Sequence, residues 1–143
     1  MDETTLALAI ARGRLAFGVI GMAAPGIMVR AMSRSKRPQG AEAVFTRMWA
    51  ARDLAMGLGV VVALDHGTPV RGWLEASATA DASDFAAALL GREQLSDNAF
   101  KGTLALAGLS AVLNVVLSRR LDPAPAPHPG QVESIVTGHH EPA

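Results

Sequence analysis

Hydrophobic positions along this chain fall into four long blocks separated by short polar breaks, and none of the blocks alternates with a period of two. The first block covers residues 5–32, is most apolar over residues 15–29, and predicts a helix kinked at Pro25-Gly26. The second covers residues 43–64 and closes on an unbroken apolar run from Leu54. The third covers residues 70–90 and the fourth residues 103–117. Each is close to the about 20 residues that a membrane-spanning helix needs, the fourth being the shortest. The breaks are a basic loop (Arg30, Arg34, Lys36 and Arg37, with Pro38 and Gly40), a tight turn at Asp65-His66-Gly67-Thr68-Pro69, and a polar loop over residues 91–101. Short connections between helices of this length predict an all-α fold, a four-helix antiparallel transmembrane bundle over residues 1–120. After Arg119-Arg120 the composition changes, and residues 121–143 form a proline-spaced tail expected to be disordered.

Composition supports a lipid environment for these helices. Half of the residues are hydrophobic, 18% are charged, and only 4% are aromatic, with no tyrosine. The apolar mass is therefore Ala, Leu, Val, Met and Gly, the mix that lets helices pack closely in lipid. A soluble four-helix bundle is the rival, because the third block is weakly hydrophobic by itself. Against it, the second and fourth blocks lack a polar stripe wide enough to wet one face. The chain opens Met-Asp-Glu, acidic where a cleaved secretory signal is basic, so the expected location is the inner membrane, multi-pass, entered through the protein's own helices. The larger number of basic residues in the first and third loops orients those loops to the cytoplasm and both termini outside.

Charge removes several function classes. Thirteen basic residues balance 13 acidic ones, which offers nothing to a polyanion, and no basic-aromatic surface suggests nucleic acid. With no cysteine, disulfides, thiol catalysis and thiolate metal sites are excluded. The histidines at 66, 128, 139 and 140 all fall in loops or the tail, so no metal and no cofactor are expected.

The informative charges are those inside the apolar blocks. The third block carries Glu75, Asp81 and Asp84, and the second carries Arg52 and Asp53. Carboxylates in a bilayer need partners or a task. In a hairpin closed at His66-Gly67-Thr68, Arg52 lies level with Ser83, between Asp81 and Asp84, which share one helix face. Asp53 points about 100° away from Arg52 and faces another helix. The expected buried network is therefore Arg52, Asp53, Asp81 and Asp84, with Arg14 and Glu75 as an outer pair and Asn114 near the depth of Ser77. Two readings of the network stand side by side. It locks small-residue helices in register, or its paired acids bind a proton or a cation. No nucleophile–base pair lies beside the acids, so an enzyme is not expected. Small residues (Gly18, Gly21, Gly57, Gly59, and alanines spaced by four from Ala78 to Ala86) predict close packing within the bundle or with a second copy. Trp73 is expected as an interface anchor, and the methionines as core filler.

The run Trp49-Ala-Ala-Arg52-Asp53-Leu-Ala-Met-Gly57-Leu-Gly59, followed by Trp73-Leu-Glu-Ala-Ser-Ala-Thr-Ala-Asp81-Ala-Ser-Asp84, resembles an uncharacterised set of small four-helix bacterial membrane proteins. These proteins are common in actinobacteria and distantly DoxX-like in layout. The resemblance covers residues 10–120 and implies Arg52, Asp53, Gly57, Asp81 and Asp84 as key positions. It carries over no catalytic residue. The functional expectation is a structural or accessory membrane component with a buried Arg/Asp network, or else a proton- or small-solute-coupled carrier in which Asp81 and Asp84 bind the ion and Arg52 tunes them. Its partners are the lipid bilayer and either a homo-oligomer or another membrane protein.

Overall fold

A computed structural model describes residues 2–33 and 40–121. Those residues form five α-helices: α1 (Glu3–Ala23), α2 (Pro25–Met32), α3 (Gly40–Asp65), α4 (Arg71–Leu90) and α5 (Asp97–Leu121). Among them there is no strand, only an isolated bridge between Ser33 and Leu95. Leu121, expected to open the tail, is instead the last residue of α5, and the rest of the tail, the centre of the basic loop and three of the four histidines lie outside the described residues.

Local chemistry sets each boundary. Asp2 caps α1, its carboxylate accepting from the Thr5 N–H at 2.8 Å and the Thr5 hydroxyl at 2.9 Å. Those donors hold the Asp2 carboxyl below its ordinary pKa. The cap therefore contributes fully above the ordinary value and is lost as pH falls through the lowered one. The kink expected at Pro25 is a full break. Ala24 ends α1, and Pro25, which has no N–H to offer, opens α2. This turns four expected helices into five. At the end of α3, Gly67 sits at φ 61°. There the Thr68 N–H reaches the Ala63 carbonyl at 2.9 Å and the Gly67 N–H the Leu64 carbonyl at 3.4 Å. This double bond pattern around a left-handed glycine satisfies the last carbonyls, and Pro69 prevents continuation. Helix α5 starts six residues earlier than the hydrophobic block implies, because Ser96 caps it by accepting from the Ala99 N–H at 3.2 Å.

The closest neighbours are α1 with α3 and α4 with α5, while the sequential pair α3–α4 touches less extensively. Glycines bring α1 and α3 together. A Cβ on Gly18 would stand 2.8 Å from the Ala50 carbonyl oxygen, and one on Gly57 would stand 2.8 Å from that of Ala11. The buried positions of α1 are Ala7, Ala11, Arg14, Gly18 and Gly21, a stripe spaced by four and three along one face. An apolar cluster of Ala7, Ala11, Val60, Ala63, Val70, Leu74 and Leu117 fills one end of the bundle. Gly59 has a different use from the others. Its missing Cβ makes room for the Trp73 ring, which fills the place that carbon would take.

Several charged and polar side chains are buried beside the apolar core, and many large apolar ones are exposed. Arg14, Asp53, Ser77, Asp81 and Asn114 are buried, whereas Phe45 is 66% exposed, Leu106 69%, Leu109 61% and Val112 60%. Met22 and Met48 also point outward, so the methionines are not uniformly core filler. Helices α1 and α5 are long and apolar enough to cross a membrane. Only 22% and 17% of their most apolar stretches are buried, whereas the core helix of a soluble protein is mostly buried.

Candidate functional site

A polar layer crosses the bundle at mid-depth. Arg14, Asp53, Asp81 and Ser110 each stand within one residue of the midpoint of their own helix. Arg14 is the hub. Its Nη1 donates to Asp53 Oδ1 at 2.6 Å, and its Nη2 pairs with Asp81 Oδ2 and approaches the Ser77 carbonyl at 3.4 Å. One guanidinium thus joins α1 to both α3 and α4. Asp81 Oδ2 is also held from α5, by the Ser110 hydroxyl at 2.7 Å and the Asn114 amide at 3.3 Å. All four long helices meet on these side chains.

Beside this centre lies a second, less buried pair. Arg52 forks onto Asp84 with bonds of 3.0 and 2.6 Å, and the Trp49 indole N–H donates to the same carboxylate at 3.1 Å. Trp49 is steadied by an edge-to-face contact with Phe17, ring centres 4.9 Å apart. Arg52 also stands 3.8 Å from Asp53, which links the two pairs. Side-chain exposures of 30% and 22% place the Arg52–Asp84 pair at the edge of the bundle. Lysine at 52 keeps the charge but not the planar fork. Arg52→Lys is expected to cost about 1 kcal/mol, read as a small drop in melting temperature in detergent.

The sequence placed Arg52, Asp53, Asp81 and Asp84 in one network with Asp53 turned to another helix, and in the structure they lie together, Asp53 paired with Arg14 of α1. Arg52 bonds Asp84 and not Asp81. The expected outer pair of Arg14 and Glu75 is not formed. Arg14 lies deeper, because the Gly18–Ala50 and Ala11–Gly57 contacts set α1 level with the middle of α3. Glu75 instead faces outward and accepts from Arg71 Nε, one turn earlier, at 2.7 Å. Asn114, buried like Ser77, donates to Asp81 one turn further along α4. The missed signal was the small-residue stripe of α1, which puts Arg14 on the same inward face as Ala7, Ala11, Gly18 and Gly21.

Chemically, three carboxylates (Asp53, Asp81, Asp84) meet two guanidiniums (Arg14, Arg52), leaving one negative charge in excess. The buried Ser77 hydroxyl and Arg14 Nε have no hydrogen-bond partner. Among the described residues no group of His, Cys, Asp or Glu is arranged to hold a metal ion. A shallow groove of about 590 Å³ between α4 and α5 is floored by Ala78, Ala82 and Ala111, away from the buried acids. No family model, curated protein or solved structure matches the chain.

Proposed function

We propose that the chain is a small multi-pass integral protein of the inner membrane, with α1, α3, α4 and α5 spanning the bilayer. In this reading it serves as a structural or accessory component whose mid-depth Arg/Asp layer fixes helix register. The observation that carries the reading is a buried ion-pair layer together with an outer surface rich in exposed leucine, valine and phenylalanine. Helices of 20 to 26 residues have the necessary length, at about 1.5 Å per residue against a hydrocarbon core of about 30 Å. Composition alone does not qualify α3 and α4, because they carry the layer's own charges. Arg14, Ser110 and Asn114 cover Asp53 and Asp81, so those carboxylates do not meet lipid. Kinship with small four-helix bacterial membrane proteins, drawn from the Trp49–Gly59 run, belongs to the same proposal.

Membrane extraction tests it. The full chain is expected to remain in the pellet through carbonate washing and to enter solution only with detergent. Release by carbonate, or recovery in the soluble fraction, would overturn the reading.

The negative charge in excess favours a second reading, a carrier that takes up a proton or small cation at Asp53 and Asp81. Liposomes containing the full chain would then conduct protons, and Asp81→Asn would abolish that flux while leaving the folded protein extractable. Equal flux in empty and loaded liposomes removes the carrier reading and leaves the accessory one.

A further inference from the structure

One charge at mid-depth is not accounted for by the bundle. Arg12 stands within one residue of the midpoint of α1, yet on its outer face, exposed. Among the described residues it has no ion-pair partner. Ala9, Gly13 and Ala16 surround it, all exposed, and a Cβ on Gly13 would meet nothing within 4 Å. Glycine weakens an exposed helix interior relative to alanine, and the bundle's own packing gives Gly13 no reason to be glycine. An approaching backbone would.

We infer that this face of α1 docks a transmembrane helix of another protein that carries an aspartate or glutamate at the bilayer midplane, paired with Arg12. The inference rests on the membrane reading and gives the accessory role a partner class. Charge complementarity specifies the occupant, because an ionised guanidinium facing lipid at mid-depth is unfavourable and a carboxylate at the same depth removes that cost. The small side chains at 9, 13 and 16 let the partner backbone come close enough for the pair to form. A second copy does not supply the acid. Among the described residues the exposed carboxylates lie at or near helix ends or in loops, apart from Glu75, which stands one turn inside α4 and is bonded to Arg71. Asp84 is already held by Arg52 and Trp49.

The test uses the full chain, labelled at His66→Cys and reconstituted in phosphatidylcholine liposomes. Acceptor-labelled Leu/Ala host helices are added, bearing Asp, Asn or Leu at their centre, and energy transfer is measured. The Asp host is expected to associate roughly tenfold more strongly than the Leu host, a factor in keeping with one interhelical polar contact in lipid. Arg12→Leu should erase that difference, and Arg119→Gln, at the end of α5, should leave it intact. Equal transfer for the Asp and Leu hosts, or an unchanged preference in Arg12→Leu, would overturn the proposal while the membrane reading stands. A disulfide-linked homodimer of Ala16→Cys would assign the face to a second copy and overturn it as well. A chain that fails to float with the liposomes would remove the membrane reading, and this inference with it.

Discussion

Replacing Arg14 with leucine is expected to prevent the bundle from assembling. The guanidinium is the counter-charge for Asp53 and Asp81 together, both buried. Removing it leaves two carboxylates in low dielectric with only Ser110, Asn114 and the edge of Arg52 to meet them. Breaking one side of a buried pair costs about 3–5 kcal/mol, comparable with the whole stability of a small domain. The loss comes from the stranded acids, not from the missing arginine, and this makes a rescue possible. Arg14→Leu combined with Asp53→Asn and Asp81→Asn removes the net charge and is expected to recover most of the folded fraction. Size-exclusion profiles and melting temperatures in detergent, compared across the single and triple variants, check both halves. A single variant as stable as the parent would show that Arg14 is not the hub.

The second large effect is expected at Gly57. A side chain there must displace the Ala11 carbonyl, 2.8 Å away, and the Leu15 side chain, 3.0 Å away. Backbone cannot swing aside as a flexible side chain can, so Gly57→Leu must push α1 off α3. Overpacking of this kind costs about 1–3 kcal/mol when only side chains yield, and the backbone contact puts Gly57 at or above the upper end. Because α1 carries Arg14, the same displacement lengthens the Arg14–Asp53 and Arg14–Asp81 bonds, so packing and electrostatics fail together. Gly72→Ala, where nothing lies within 4 Å, is the matched control and should leave the melting temperature close to the parent value.

Helix existence and approximate position were legible because hydrophobic block length and punctuation are local properties. The turn at Asp65-Gly67-Pro69 was readable for the same reason, since a left-handed glycine followed by proline ends a helix wherever it occurs. The start of α5 was missed where a serine cap, Ser96, outweighed a polar stretch that looked like loop. The network was only partly legible. Arg52 and Asp84 belong to helices joined by a five-residue turn, whose short length fixes their relative depth. Arg14 reaches its partners from α1, separated from α3 by a longer connection that includes α2, so no loop length sets its level. That level is set by glycine-to-backbone contacts, which a hydropathy pattern does not weigh. Hydropathy also scores each residue as though it faced lipid, so Asp53 and Asp81, which are turned inward, lower the scores of α3 and α4.

The absence of cysteine permits the most direct test of the central claim that the apolar outer face of this bundle lies in lipid. Leu109→Cys, at an exposed position on α5 close to the depth of Asp81, is compared in intact membranes with His66→Cys in the α3–α4 turn. A membrane-impermeant maleimide is expected to label position 66 readily and position 109 only after detergent is added. A fluorophore placed at 109 is expected to be quenched by lipids brominated deep in their chains. Rapid labelling of position 109 in intact membranes, without lipid quenching, would mean that this face meets water, and would contradict the account.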